Sequence, residues 1–242
     1  MWSGCVRARR SNMKLSVIMP AFNEAKTIAP ALALVMAADI GAWKREVIVV
    51  DDGSTDATSG ILGRLRGVQY DFTLLRHSRN QGKSAAIATA LTHTTGDAVI
   101  IQDADLEYDP TDWGALLALF EAGHPVVYGS RNLGAGQQGY AAYAAGAWAL
   151  TRLCNALYGS KLTDLYTCSK LIRTDILREA GIASKGFDFC PEITAKILLA
   201  GHSITEAPIN YYPRSFAAGK KIRPWDGVRG AWTLMSLRLK KW

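Results

Sequence analysis

The chain has 242 residues and a mass of 26.3 kDa, with 49% hydrophobic residues, 20% charged residues and a net charge of +7. This is enough apolar material for a full core, and there is no low-complexity tract, so disordered, collagen-like and small disulfide-scaffold classes are excluded. The four cysteines, Cys5, Cys154, Cys168 and Cys190, form no C-x-x-C pair, which argues against zinc ribbons and redox motifs and fits a reducing compartment.

Residues 1–13 carry Arg7, Arg9 and Arg10 but not the apolar run of a secretory signal, so they read as a disordered basic tail. A start-site extension before Met13 and a genuine mobile arm are equally compatible with that reading. From residue 14 onward, β-branched runs alternate with helical patterns, the signature of an α/β domain with a mainly parallel sheet covered on both faces. The expected strands are Leu15 to Met19, Glu46 to Val50, Asp71 to Leu75, Ala98 to Gln102 and Val126 to Ser130. Helices are expected at Thr27 to Asp39, Thr55 to Arg66, Lys83 to Thr94 and Thr111 to Ala122. Ser54 or Asp56, and Thr111 or Asp112, are the expected capping residues. The second half reads as a helix from Tyr140 to Leu157, a helix around Glu192 to Leu199 and a strand from Ile204 to Tyr211. With no linker or repeat, residues 14–242 form one domain. No apolar stretch reaches the ~18 residues of a spanning helix.

In such sheets the ligand crevice lies at the carboxyl ends of the strands. The loops there are strongly polar: PAFNEA, DDGSTD, HSRNQG and DADLEYD. Asp103 and Asp105 leave an apolar strand at alternate positions, so both carboxylates can converge on one hard cation, with Glu107 a third oxygen at the same spacing. A solvated acidic loop capping the next helix is the plainer alternative. Asp52 is an acceptor suited to a nucleobase N–H, and Pro20, Phe22 and Glu24 offer a rigid turn, a ring and a carboxylate for a base and ribose. Arg131, Arg214 and Lys220 can grip phosphates.

Two signatures fail. Gln81-Gly82-Lys83-Ser84 ends like a P-loop, but the first glycine that motif requires is His77 here. Gly134 to Gly139 matches G-x-G-x-x-G yet follows the fifth strand, with no acid-terminated strand about twenty residues on, and reads as a mobile loop over the site. His77, His93, His124 and His202 lack metal-ligand spacing, and no G-x-S-x-G is present.

The charge is concentrated at the end: from Arg214 to Trp242, eight bases face one acid, Asp226. An anionic partner is expected there, and nucleic acid is not, because no recognition-helix or RNA-binding aromatic pattern is present. At 100° per residue, Val228, Ala231, Trp232, Met235, Leu239 and Trp242 share one helix face, with Arg229, Ser236, Lys240 and Lys241 away from it. That pattern suits an anionic membrane surface, or packing on the protein's own body.

Taken in order, PAFNE, VIVVDDGSTDAT, QDADLEYDP, VVYGSRN and PRSFAAGKKI resemble the family 2 glycosyltransferases, most closely their dolichol-phosphate and polyprenyl-phosphate mannose synthase branch, from about Lys14 to Gly230. The resemblance implies a GT-A fold, a nucleotide-sugar donor with GDP-mannose the first expectation, Mg²⁺ or Mn²⁺, and inverting transfer to a polyprenyl or dolichyl phosphate. It implies that Pro20, Phe22, Glu24, Val50 and Asp52 hold the nucleoside. Asp103, Ala104, Asp105 and Glu107 would hold the diphosphate and metal, and Arg131, Arg214 and Lys220 would engage phosphates, with Asp105 and Arg131 closest to the catalysis. Departures stand at Phe22, where Tyr is usual, at Glu107, where Gln is frequent, and after Asp164, where LYTCSK replaces the commoner Thr-Gly-Phe segment. The membrane-spanning C-terminal extension of part of that branch is not seen in this sequence. A phosphate acceptor is already an anion and needs positioning; a hydroxyl acceptor needs a base, for which Asp164, Asp188 and Glu192 are candidates. A hydroxyl acceptor on a polysaccharide or envelope glycan is thus the alternative enzyme, and a non-catalytic nucleotide-binding adaptor the alternative outside enzymes. The expected location is cytoplasmic, peripheral on the inner face of the membrane, with a separate membrane-anchoring protein as a further expected partner.

Overall fold

The computed structural model describes residues 13–134, 141–184, 186, 188–214 and 224–240. The basic tail, most of the loop from Gly134 to Gly139, Lys220 and Trp242 lie outside the described residues. Met13 does not belong with the tail: its carbonyl accepts the Lys44 amide and its side chain packs on the core.

In chain order the elements are β1 (Lys14–Ala21), α1 (Ile28–Ala37), β2 (Lys44–Asp51), α2 (Thr58–Leu65), β3 (Thr73–Arg76), α3 (Lys83–Leu91) and β4 (Ala98–Ile101). A 3-10 turn (Pro110–Asp112) leads into α4 (Trp113–Glu121), then β5 (Val126–Ser130), α5 (Ala141–Tyr158), β6 (Lys170–Arg173), α6 (Thr174–Ala180), α7 (Phe189–Leu199), β7 (Thr205–Pro208) and α8 (Pro224–Leu239). The sheet runs β3-β2-β1-β4-β6-β5-β7, with β6 antiparallel to both neighbours and the other pairs parallel. The α/β class and mainly parallel sheet are as expected. The expectation missed β6, inserted against the chain direction between β4 and β5, and the helix α6 that follows it.

β1, β2, β4 and β5 are runs of β-branched and aliphatic residues because both faces are covered. Leu15, Val17 and Met19 enter one core with α1 and α4; Ile18, Ile48, Val50 and Ile101 enter the other with α3 and α7. A third cluster, Cys154, Leu162, Leu165, Ala195 and Leu234, joins α5, α7 and α8.

The expected caps are met in part. α2 begins with Ala57 in the cap position, and Asp56, one residue earlier, accepts from the Thr58 amide that opens the helix and from the Ala25 amide. Asp109, not Thr111 or Asp112, caps the 3-10 turn; Asp112 spends its carboxylate on Asn210. Among the described residues no helix is long and apolar enough to cross a membrane.

Candidate donor-binding site

The loops leaving β1, β2 and β3 are stapled to one another. Asn23, at φ 52°, donates its amide to Ser54 and accepts from the Thr55 amide, and the Glu24 amide reaches Thr58. Asp51 accepts from the Ser54 amide. Asp52 is buried and already served: its Oδ1 meets His77 Nδ1 at 2.6 Å and the Gln81 amide at 2.9 Å, and its Oδ2 takes the Gly82 amide at 2.8 Å. The carboxylate expected to face a nucleobase therefore organises the β3–α3 loop. The P-loop look-alike resolves in the same way, since its amides cradle a carboxylate of the chain rather than a phosphate. Val50 and Ala104 bury their side chains in the cores, so only their main chains can meet a ligand. Pro20 and Phe22 are half-buried in the β1 loop.

Beyond β4, the turn carrying the acids holds Leu106 at φ 64°, strained for a bulky side chain. Asp103 Oδ1 lies 2.5 Å from Lys83 Nζ. Asp105 Oδ2 accepts from Arg214 at 2.8 Å, and Arg214 also donates to Glu24 Oε2 at 2.9 Å. Burial raises the Asp103 carboxyl, but Lys83 and Arg214 more than reverse that and hold it below the usual range. Asp105 goes the other way, pushed up to about 7 by burial and by Asp103 and Glu107 despite Arg214. Glu107 is committed elsewhere: Tyr211 Oη donates to its Oε2 at 2.7 Å and the Arg214 amide to its Oε1 at 3.0 Å.

The fit to a divalent cation is therefore partial. Asp103 and Asp105 are hard oxygen donors at alternate positions, paired here with the mobile-ended side chains of Lys83 and Arg214. The Nε of Arg214 is buried without a hydrogen-bond partner, so the guanidinium is not ideally seated where it lies. These two acids fit a metal that keeps waters and substrate oxygens as its remaining ligands. Glu107 stands two residues on, its oxygens meeting the Tyr211 hydroxyl and the Arg214 amide, as those of Asp105 meet the Glu107 amide and the Arg214 guanidinium. Among the described residues no three His, Cys, Asp or Glu side chains gather into a ready-made metal cage.

Arg131 is not a free phosphate clamp. It makes a bidentate pair with Asp164, Nε to Oδ2 at 2.7 Å and Nη2 to Oδ1 at 2.8 Å, and lies 5.0 Å from the centre of the Tyr211 ring. Asp164 is fixed in turn by Glu206, whose carboxylate takes the Thr163 and Asp164 amides. Burial raises the Asp164 carboxyl, but Arg131 brings it below the usual range, which unfits it as a base. Glu192 accepts from the Ala183 and Ser184 amides and from Lys196. Asp188, raised by burial, faces the half-exposed Arg229 at 3.0 Å.

Sequence reasoning missed Lys83, His77, Tyr211 and Glu206. Lys83 could have been found, because it opens the helix after β3 at the crevice where β4 delivers Asp103. Gly134, first of the G-x-G-x-x-G match, is explained by packing: a Cβ there would lie 1.9 Å from the Ile209 carbonyl oxygen.

The family model "Glycosyl transferase family 2" matches residues 16–181. A curated relative, dodecaprenyl-phosphate galacturonate synthase of Rhizobium johnstonii, is 27% identical over 86% of this chain and 62% of its own length. The bactoprenol glucosyl transferase of Shigella phage SfX is 35% identical over 50% of this chain and 40% of its own. The chain thus spans less than two thirds of the length of these relatives. Glucosyl-3-phosphoglycerate synthase from Mycobacterium tuberculosis, solved with UDP, superposes with a TM-score of 0.71 at 18% identity, covering 100% of this chain and 84% of that one. The same enzyme with Mn²⁺, UDP and phosphoglyceric acid gives 0.71 at 19% identity over 98% and 81%. At such identities the likeness is one of fold, and the fold is of the GT-A type.

Proposed function

Because the chain belongs to glycosyltransferase family 2, we propose that it transfers a sugar from a nucleotide sugar, with Mg²⁺ or Mn²⁺ at Asp103 and Asp105. The observation that carries this reading is the pair of carboxylates, Asp103 and Asp105, delivered to the crevice at the end of β4 with Lys83 and Arg214 as flanking cations. A bound divalent ion there supplies charge neutralisation for the departing diphosphate. The chain's own part is to hold the donor in register: Asp52 and His77 set the β3–α3 loop, which sets Lys83. Arg214 reaches the crevice from beyond β7, and it exchanges its carboxylates for donor phosphates. Pro20, Phe22 and Glu24 line the nucleoside end.

Two acceptor classes draw on different observations. A hydroxyl acceptor agrees with the structural neighbours, one of them solved with phosphoglyceric acid. A polyprenyl phosphate agrees with the names of the curated relatives and with the outward apolar face of α8, which carries Trp225, Val228, Trp232 and Leu239, each more than half exposed, beside Arg229 and Lys240. That face suits an anionic membrane surface. Val228, Trp232 and Leu239 belong to the face expected from the sequence and point outward, whereas Ala231 of that face is half-buried; Gly230 and Leu234 pack on the body. Those relatives are named for galacturonate and glucose, so GDP-mannose is one donor to test among several. Incubation with a panel of nucleotide sugars, Mn²⁺, and either a short polyprenyl phosphate or phosphoglyceric acid, read by mass spectrometry, separates the classes. No product and no metal-dependent nucleotide binding would overturn the reading.

A further inference from the structure

The segment that follows β7 is sewn onto the acidic turn beyond β4 at one residue, Glu107. The Tyr212 amide donates to the Glu107 carbonyl at 2.9 Å, the Tyr211 hydroxyl to Oε2 at 2.7 Å and the Arg214 amide to Oε1 at 3.0 Å. Tyr211 is buried, and its ring has supports of its own. Tyr108 lies 5.3 Å away between ring centres, with an antiparallel bridge joining the two backbones, and the Arg131 guanidinium sits 5.0 Å from the Tyr211 ring centre. The packed ring thus aims the hydroxyl at Glu107. With Glu107 fixed the Arg214 amide is fixed too, and its guanidinium spans Asp105 at 2.8 Å and Glu24 at 2.9 Å. The same turn bears Leu106 at φ 64°, a conformation that persists only where its surroundings hold it.

We propose that Tyr211 is a positioning residue for the donor diphosphate: its hydroxyl orients the Glu107 carboxylate, and through it the Arg214 cation, beside Asp103 and Asp105. The role rests on the function proposed above. A carboxylate offers only acceptors, so each of its oxygens needs a donor when it is buried, and here Tyr211 and the Arg214 amide supply one each. Without the hydroxyl, Oε2 is left buried and without that donor, which costs more than the net value of the bond. The carboxylate then turns toward another donor and releases the Arg214 amide, so the cation and the acidic turn lose their common register. A carboxamide at the same position behaves differently. It brings no charge into the turn, needs a donor at its oxygen alone, and can accept the Arg214 amide there.

UDP binding in the presence of Mn²⁺ is titrated on the full wild-type chain and on Tyr211→Phe, Glu107→Gln and the double variant. Tyr211→Phe keeps the ring against Tyr108 and Arg131 and removes only the hydroxyl. It is expected to weaken binding by about tenfold, the scale of one lost hydrogen bond to a charged group or of a lost partner behind a metal-site carboxylate. Its melting temperature is expected to stay within a few degrees of the wild type. Glu107→Gln is expected to bind within about threefold of the wild type, and so is the double variant, because the carboxamide no longer needs the donor that phenylalanine lacks. Glu107→Gln thereby rescues Tyr211→Phe, which it would not do for a tyrosine that serves packing alone. Wild-type binding by Tyr211→Phe, a double variant no tighter than Tyr211→Phe, or a Tyr211→Phe chain that fails to fold would each overturn the proposal and leave the proposed function standing. A wild type that binds no UDP with Mn²⁺ condemns the proposed function, and the role of Tyr211 falls with it.

Discussion

Asp105 is held in a place that costs the fold free energy. Its folded-state pKa, about 7, lies above the unfolded value of 3.8, so the native chain keeps that proton longer than the unfolded chain does. Stability from this group is greatest below about pH 4, declines as pH rises, and levels off above about 7 at a loss of up to about 4 kcal/mol. Asp105→Asn removes the titration. The variant is expected to gain melting temperature over the wild type at pH 8 and little at pH 4, while losing Mn²⁺-dependent nucleotide binding; equal gains at both pH values would reject the assignment. Gly53 makes a different demand. Its φ of 68° and a Cβ that would fall 2.4 Å from the Arg79 carbonyl carbon leave no room for alanine. Gly53→Ala is expected to cost about 1–3 kcal/mol in denaturant unfolding and to weaken nucleotide binding, since it parts the β2 loop from the loop leading to Lys83. At this scale the sequence showed the acids but not their partners. Asp103 and Asp105 stand out because strand alternation is local. Arg131 with Asp164, or Glu107 with Tyr211, are pairs that only the folded chain brings together.

Strand legibility followed burial. β5 was read with its observed boundaries because a run of apolar residues buried on both faces ends abruptly at a polar loop. β6 was missed because its four residues begin with Lys170 and end with Arg173, charges that look like surface. Lys170 is in fact fully buried, donating to the Leu165 carbonyl at 3.0 Å and lying 3.7 Å from the Tyr128 ring centre. At the opposite end of the sheet from the site, Glu46 ties β1 and β2 to the turn before β4. It accepts from Lys14 Nζ at 2.8 Å, the Ser16 hydroxyl at 2.5 Å and the Thr95 amide at 2.8 Å. Burial raises this carboxyl, yet those donors together bring it down to about 2. A depressed folded pKa means stability that is present above the unfolded value of 4.5 and is lost as pH falls toward 2. Glu46→Gln is therefore expected to destabilise the protein by about 1–2 kcal/mol at pH 7, a figure discounted for partial exposure, and by progressively less on acidification. Parallel acid-denaturation curves for the two proteins would refute this clamp.

Considered as a whole, the molecule sets the site and its outward apolar face on connected parts. α8 abuts the loop holding Asp164 and Cys168: the Tyr166 hydroxyl sits 2.0 Å from where a Cβ on Gly230 would be, so a side chain there would have to push the Tyr166 ring aside. Leu234, fully buried, anchors the same helix to α5 and α7. Its other side shows Trp225 and Trp232, 68% and 67% exposed, and α5 adds Trp148 at 62% with Arg152 stacked on it. Large exposed aromatic rings flanked by bases are costly in water and suited to a lipid headgroup layer. Each base near an anionic surface contributes about 1 kcal/mol, and the attraction fades as the Debye length shrinks from about 10 Å at 0.1 M salt to about 3 Å at 1 M. Binding to phosphatidylserine vesicles, measured by flotation, is therefore expected to fall steeply with salt. The Trp225→Ser and Trp232→Ser double variant should bind weakly even at low salt while its melting temperature stays near the wild type, because exposed side chains contribute within about 0.5 kcal/mol. If vesicle-borne polyprenyl phosphate is the acceptor, its turnover falls in parallel with flotation, whereas UDP binding in solution does not. Salt-independent flotation, or a double variant that floats like the wild type, would show that this face has another use.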